Sequence, residues 1–279
     1  MQSRSREIGT VFRTGQGVFC LDPRDRSVSR MLIENGSYGA ADLEHLAPFL
    51  GAAAEILVVG AHIGALVVPL AARASRVVAV EAEPHTFELL EINLRLNGAG
   101  NVTAHHFAAG AVNGSVRFLS TPGFSGGSKM MPLVDAAPYL DAGHAVIEVP
   151  ARRIDDVFPD ARFDIVLMDI EGAEYFALQG MPRTLERCRT LVVEFMPHHL
   201  RNVAGITEAQ FLEPLSGFAT MISPRLSRVV YREEFAGLLA EMYERDVSDD
   251  GLIFDKRRLA KVSKHASADP GSGKGPAPG

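Results

Sequence analysis

Apolar residues along the chain fall into two alternating rhythms. Short continuous runs end at a glycine or a carboxylate, and each is followed by apolar residues spaced three and four apart. The first rhythm marks strands buried on both faces and the second marks helices with one covered side. Ile56–Val59 is the first such run, in ILVVGAHIG, and the pattern Leu66, Val67, Leu70 and Ala71 follows its glycines. RVVAVEAEP (Arg76–Pro84) predicts a second strand closing on Glu81. Pro84 then opens a helix to about Asn97, with Phe87, Leu90, Leu94 and Leu96 as its apolar side and Asn97-Gly98 as its stop. Asn101–Phe107 predicts a third strand, Phe163–Ile170 (FDIVLMDI) a fourth and Thr190–Phe195 (TLVVEF) a fifth. Five apolar strands alternating with amphipathic helices predict an α/β fold, doubly wound around a mostly parallel sheet.

The remaining stretches are shorter. VFRTGQGVFCL, within Thr10–Leu21, alternates around Gly15 and Gly17 and predicts a hairpin; Ser27–Glu34 and Ala40–Leu50 predict helices. With the hairpin, these helices make residues 1–50 an N-terminal cap on a main domain of 51–262, and the first eight residues should fray. Gly114–Leu119 predicts an additional strand, Ser120–Pro132 a Gly- and Ser-rich loop, Ala145–Pro150 an extended segment and Ile154–Phe158 a short helix. Thr207 and Gln210 form a capping box for a helix to Leu215. Phe218–Ile222 and Leu252–Phe254 are candidate last strands with a helix near Arg232–Tyr243 between them. Residues 263–279 are Ala, Gly, Pro, Ser and Lys, a composition expected to be disordered.

Composition narrows the class. The 279 residues carry 47% hydrophobic and 22% charged positions, as a globular protein does. A net charge of −6 and no basic run longer than Lys256–Arg258 argue against a nucleic-acid partner. No apolar stretch reaches the ~20 residues of a bilayer span, and MQSRSREIGTVF has no signal-peptide core. Cys20 and Cys188 lack a partner motif and read as reduced thiols, so a cytoplasmic location is expected.

The candidate chemistry gathers at the carboxyl ends of the strands, where open α/β sheets bind ligands. Gly60 and Gly64 frame a turn whose backbone N–H groups are free, but His62 stands where a dinucleotide fingerprint needs a glycine. That disfavours a pyrophosphate and a nicotinamide-dependent oxidoreductase. It suits S-adenosylmethionine, which carries no phosphate. Glu81, 21 positions after Gly60, can accept both hydroxyls of a ribose, or else cap the next helix with Glu83. DIEGAE, Asp169 to Glu174, ends the fourth strand in three carboxylates around Gly172; Glu174 fits the first turn of a helix, whereas Asp169 should face the crevice. Glu194 ends the fifth strand, with His198 and His199 in the loop beyond; a histidine there could take a hydroxyl proton. His105 and His106 read as structural or as neighbours of an adenine. No metal-ligand spacing is present, and no metal is expected.

These segments in series, VGAHIG, VEAEP, LNGAGNV with AAGAVNGSVRF, RRIDDVF, DIVLMDIEGAE and VVEFMP, resemble the FkbM-type methyltransferases over roughly residues 17–222. The resemblance implies a Rossmann-like, mostly parallel seven-stranded sheet and an S-adenosyl-L-methionine-dependent enzyme that O-methylates a hydroxyl of a sugar or polyketide-type small molecule. It implies that Gly60, Ala61 and Gly64 line the methionyl part and Glu81 the ribose, with His62, Ala82, Ala108 and Asp169 completing the cofactor set. Asp169 and Glu171 would lie near the methyl-transfer point; Asp169, Glu171 or His198 could remove the acceptor's proton. Glu194 would close the site on the substrate side, and the Gly126-Gly127-Ser128 loop would cover it. Four positions depart from the family's usual residues: Val58 for an aspartate, His62 for an asparagine, Leu167 for a lysine and Ala111 or its neighbour for an aspartate. A non-catalytic relative that binds a ligand or partner in the same crevice is the alternative reading. The hairpin could also pair with a second copy of the chain.

Overall fold

The computed structural model describes residues 7–51, 53–140 and 143–260, so the expected tail after Ser263 and most of the expected frayed start lie outside the described residues. Thr10–Thr14 (β1) and Gly17–Leu21 (β2) pair antiparallel as the expected hairpin. Val28–Asn35 (α1) stops at Gly36, whose φ of 70° closes it, and Ala40–Leu46 (α2) runs on through a 3-10 turn over Ala47–Phe49.

The alternating unit follows: Glu55–Val59 (β3), Val67–Ala71 (α3), Arg76–Glu81 (β4), Pro84–Leu96 (α4) and Val102–His106 (β5). Then come Ala108–Ala109 (β6), Gly114–Ser120 (β7), Lys129–Met130 (β8) and Ala145–Arg152 (β9). Ile154–Val157 (α5), Ile165–Met168 (β10), Glu174–Gln179 (α6), Pro182–Arg187 (α7) and Thr190–Phe195 (β11) complete the central part. The chain closes with Pro197–His199 (α8), Glu208–Leu212 (α9), Thr220–Ser223 (β12), Arg228–Tyr231 (β13), Phe235–Glu244 (α10) and Asp249–Asp255 (β14). The Thr207–Gln210 capping box is present on α9.

The main sheet has eight strands in the order β13-β12-β14-β11-β10-β3-β4-β5. The five strands expected from the apolar runs are parallel, β5 through β11, whereas every pairing on the β14, β12 and β13 side is antiparallel. The expected seven-stranded sheet is therefore corrected to an eight-stranded mixed one. The additional strand, β13, is only RVVY; two adjacent apolar residues in four positions make no readable period. A smaller sheet, β6-β9-β7-β8, is built between β5 and α5, and pairs the expected Gly114–Leu119 strand with the Ala145–Pro150 segment. It carries the Ser120–Pro132 loop.

Alternation along the strands sorts the core onto two faces. Leu57, Val59, Val166, Met168, Leu191 and Val193 pack with Leu178, Leu185, Phe211 and Leu239 from α6, α7, α9 and α10. Ile56, Val58, Ile165, Leu167 and Val192 pack on the opposite face with Leu70 and Leu90 and with Phe19, Leu32, Leu43 and Leu46. The first fifty residues thus contribute to the main core.

Two asparagines, Asn93 of α4 and Asn97 at its C-cap, substitute for a strand partner beside β2. Asn93 Oδ1 accepts the Cys20 amide at 2.6 Å, and Asn97 accepts the Val18 amide at 2.9 Å while donating to the Val18 carbonyl at 2.7 Å. Buried backbone groups need such partners. Among the described residues no helix is long and apolar enough to cross a membrane.

Candidate active site

The glycine turn after β3 is shaped by contact with the next parallel strand. Gly60 has φ 86°, and a Cβ there would lie 1.8 Å from the Asp169 carbonyl oxygen, so no other residue fits. The amides of Gly60 and Ala61 both donate to the Val80 carbonyl at 2.9 Å, which folds the turn over the end of β4. Gly64, φ 87°, faces α4; a Cβ would meet Leu90 Cδ1 at 2.9 Å. Gly64 therefore packs helix against turn and does not line the cavity described below.

His62 sits between them at φ 50°, a conformation costing a non-glycine residue about 1–2 kcal/mol. Two contacts offset it. The His62 amide donates to Glu81 Oε2 at 2.8 Å, and ring Nε2 lies 2.9 Å from Ser125 Oγ. Burial holds its imidazole down to about 4, so the ring is neutral and shapes the loop.

Glu81 is 8% exposed, and its carboxylate joins two elements: Oε2 takes the His62 amide and Oε1 the Glu83 amide at 2.8 Å. Burial pushes its pKa up to about 7 against those two bonds. The capping role falls to Glu83, whose side chain accepts the Thr86 amide at the start of α4. His106 stacks on Phe87 at 4.9 Å and lies 3.0 Å from the Ala82 carbonyl, and His105 packs edge-on against Phe158; both are structural.

One wall of the site comes from two distant segments. The buried Asp25 carboxylate accepts the amides of Ser27, Ser29 and Ser125, and the Gly126 amide donates to Ser27 Oγ at 3.0 Å. This knot hangs the Pro122–Ser128 loop over His62, with Ser128 Oγ accepting the Thr121 amide.

The acidic end is built from β10, β11 and the small sheet. Glu174, 2% exposed, turns back to accept the amides of Ile170 and Gly172, and burial pushes it up to about 7. Gly172 has φ 104°, and a Cβ there would meet Val203 Cβ at 2.7 Å, which keeps the turn tight against the chain after β11. Asp169 opens toward the cavity with its pKa raised by desolvation and then by Glu171 and Glu174. One oxygen each of Asp169, Glu171 and Glu194 lie within 4.8 Å of one another, a gathering that no sequence spacing announced.

A lysine absent from the expected site stands among them. Lys129 Nζ, buried, donates to Glu171 Oε2 at 2.8 Å and lies 3.0 Å from His199 Nε2. Its one legible signal is that no other charged residue lies between Arg117 and Asp135. His199 in turn lies 3.4 Å from Glu194. His198 stacks on Tyr139 instead and is not on the cavity wall, so the fold brings His199, and not His198, to the carboxylates.

A cavity of about 1450 Å³ joins these parts. Gly60, Ala61, His62, Glu81, Ala82, Ala108, Ser128, Asp169, Glu171 and Glu194 all line it, as do Gly126 of the covering loop and the exposed apolar side chains Met31, Val112, Phe124 and Leu133. Ligand sites typically occupy about 300–1,000 Å³, so the space accommodates two molecules side by side.

Residues 59–244, two thirds of the chain, match the family model described as Methyltransferase FkbM domain. The chain belongs to that family. No curated protein gives a sequence match. Among solved structures, a methyltransferase FkbM from Methylobacillus flagellatus KT is 18% identical, with a TM-score of 0.43 over 73% of this chain and 43% of that one. A 16S rRNA methyltransferase of T. thermophilus, solved with AdoMet and guanosine, is 18% identical, with a TM-score of 0.43 over 89% and 50%. A precorrin-6y methyltransferase from Geobacter metallireducens is 12% identical, with a TM-score of 0.40 over 85% and 91%. The chain spans half the length or less of the first two. Likeness at this level carries nothing about the reaction.

Within the FkbM family the departures at Val58 and Leu167 acquire a joint explanation. The two are register partners on β3 and β10, and their row continues through Ala79, Val192 and Ile253. The family's usual aspartate and lysine would therefore stand side by side on one face of the sheet. At both positions where the resemblance expects a charged residue this chain carries an apolar one, so neither charge would be buried alone.

Proposed function

We propose that this FkbM-family chain is an S-adenosylmethionine-dependent methyltransferase acting on a hydroxyl of a small molecule, in the cytoplasm. The observation that carries the reading is Glu81. Each of its oxygens accepts one backbone N–H and keeps a further lone pair, and the carboxylate lines the same cavity as the Gly60 turn. A ribose diol is a matching donor pair. The side-chain-free Gly60 edge leaves room for a sulfonium amino acid, and the carboxylates around Asp169 balance its positive charge.

Bound there, S-adenosylmethionine would supply an electrophilic methyl group. Glu81 would hold the ribose, Ala82 and Ala108 would flank the adenine, and Asp169 would stand at the charged end. The covering loop, fixed by Asp25 and His62, would keep water out, and the carboxylates beyond Asp169 would orient the acceptor hydroxyl and take its proton. Met31, Val112, Phe124 and Leu133 give the mouth an apolar rim, which suits an acceptor with a hydrocarbon body.

Calorimetric titration with S-adenosylhomocysteine tests this reading. Saturable binding to one site is expected, weakened in Glu81→Gln; no detectable heat at millimolar ligand would return the chain to a non-catalytic binding role.

A further inference from the structure

Among the described residues, four buried polar side-chain atoms have no hydrogen-bond partner, and two of them face each other: Glu194 Oε2 and His199 Nδ1, 3.4 Å apart. Both residues are 3% exposed. Leaving a buried donor or acceptor unsatisfied costs about 1–3 kcal/mol, so two facing orphans call for an explanation.

Lys129 supplies it. Its ammonium lies 2.8 Å from Glu171 Oε2, 3.0 Å from His199 Nε2 and 4.6 Å from the centre of the Tyr139 ring. An ammonium can only donate. Nε2 of His199 must then accept, and a neutral imidazole that accepts at Nε2 carries its proton on Nδ1. Burial, the Lys129 charge and His198 hold His199 down to about 2, so the ring is neutral. The Nδ1 proton is thereby directed at Glu194 Oε2, and the two orphans become donor and acceptor of one long hydrogen bond.

We propose that Glu194 is the base that receives the acceptor's hydroxyl proton, and that Lys129 and His199 are positioning residues that hold its carboxylate aimed into the cavity. The inference rests on the methyltransferase reading. Of the three carboxylates gathered there, Glu171 is already engaged by Lys129, and Asp169 has no side-chain hydrogen bond among the described residues. Glu194 alone is buried, lines the cavity and is held from behind. Its surroundings, burial first and then Asp169, Glu174 and Glu171, raise its proton affinity, and the Lys129 charge opposes them. In the transfer, the acceptor's O–H bond breaks and its proton passes to Glu194. The oxygen's electron pair forms the new bond to the methyl carbon, and the pair of the broken carbon–sulfur bond stays on sulfur.

The tautomer is read by ¹H–¹⁵N correlation of the imidazole rings in the full chain without cofactor, His199 being assigned with His199→Gln. The expected spectrum has His199 protonated at Nδ1 and bare at Nε2. In Lys129→Met the proton should move to Nε2, where Glu171 Oε2 at 3.5 Å can accept it. The Glu194 carboxyl, followed by ¹³C shift, should then titrate about one pH unit higher, for loss of its donor. A wild-type His199 protonated at Nε2 or at both nitrogens, or a tautomer and Glu194 titration unmoved in Lys129→Met, overturns the proposal. Should Lys129→Met not fold, the wild-type tautomer decides alone. Neither measurement uses S-adenosylmethionine, so failure here is distinct from failure to bind the cofactor.

Discussion

Val58 and Leu167 are register partners on adjacent parallel strands, and both lie on the floor of the cavity. The resemblance expects an aspartate at the first and a lysine at the second, and the register would set those two charges side by side. Val58→Asp and Leu167→Lys should each destabilise the fold by about 3–5 kcal/mol, the cost of a lone buried charge. The double variant should recover about 1–3 kcal/mol of the sum. Urea denaturation of the four proteins gives the coupling, and strict additivity would refute the pairing.

Glu81→Gln keeps one oxygen acceptor and loses the charge. Affinity for S-adenosylhomocysteine should fall by about 1–3 kcal/mol, in the range for hydrogen bonds to a charged group. Because Glu81 also ties His62 to Glu83, thermal stability is measured in parallel. Unchanged affinity with lowered stability would leave Glu81 a purely structural tie.

Glu174 gives a pH signature. Burial raises its folded pKa to about 7, above the ordinary carboxylate value of 4.5. Between those two values the folded state holds a proton that the unfolded state has lost, so this group's contribution falls as pH rises through that window. Glu174→Gln keeps an oxygen for the Ile170 and Gly172 amides without the charge. It should gain on the order of 2 kcal/mol over wild type between pH 4.5 and 8, read as a Tm difference of several degrees. A Tm difference that does not change with pH would contradict this.

Ligand charge should be felt by the carboxylates. Asp169 and Glu194 both stand above their ordinary pKa in the protein alone, and a cationic ligand favours their ionised forms. Binding of S-adenosylmethionine should therefore be accompanied by proton release. Calorimetry in buffers of different ionisation enthalpy measures it, and Asp169→Asn should reduce it. Equal apparent enthalpies in all buffers would count against the coupling.

What the sequence announces is local, and what it hides is brought together by the fold. The glycine turn, Glu81 and the DIEGAE stretch each combine a short apolar run with an abrupt polar stop. In each, the run and its stop lie within a few residues, and all three reach the cavity. Lys129 meets Glu171 from 42 positions away and His199 from 70, so no window along the chain contains the contact. The choice between His198 and His199 is also invisible. Neighbouring residues on a helical turn point about 100° apart, and the docking of α8 decides which one faces the carboxylates. The strand register that pairs Val58 with Leu167 spans more than a hundred positions and is equally closed to a single sequence.

The position of β14 has a consequence for how the chain is made. Among the described residues it is the last strand in order, yet it sits between β11 and β12. On a growing chain, β12 and β13 are complete as a hairpin while their place in the sheet still has no neighbour to accept them. Only when residues up to Asp255 have left the ribosome can β14 insert, join that hairpin to the parallel strands and bring Asp249 and Asp250 to the cavity wall. The family match ends at residue 244, before this strand begins. A piece cut at that boundary would carry the glycine turn and the acidic end but would lack the strand that joins β12 and β13 to them.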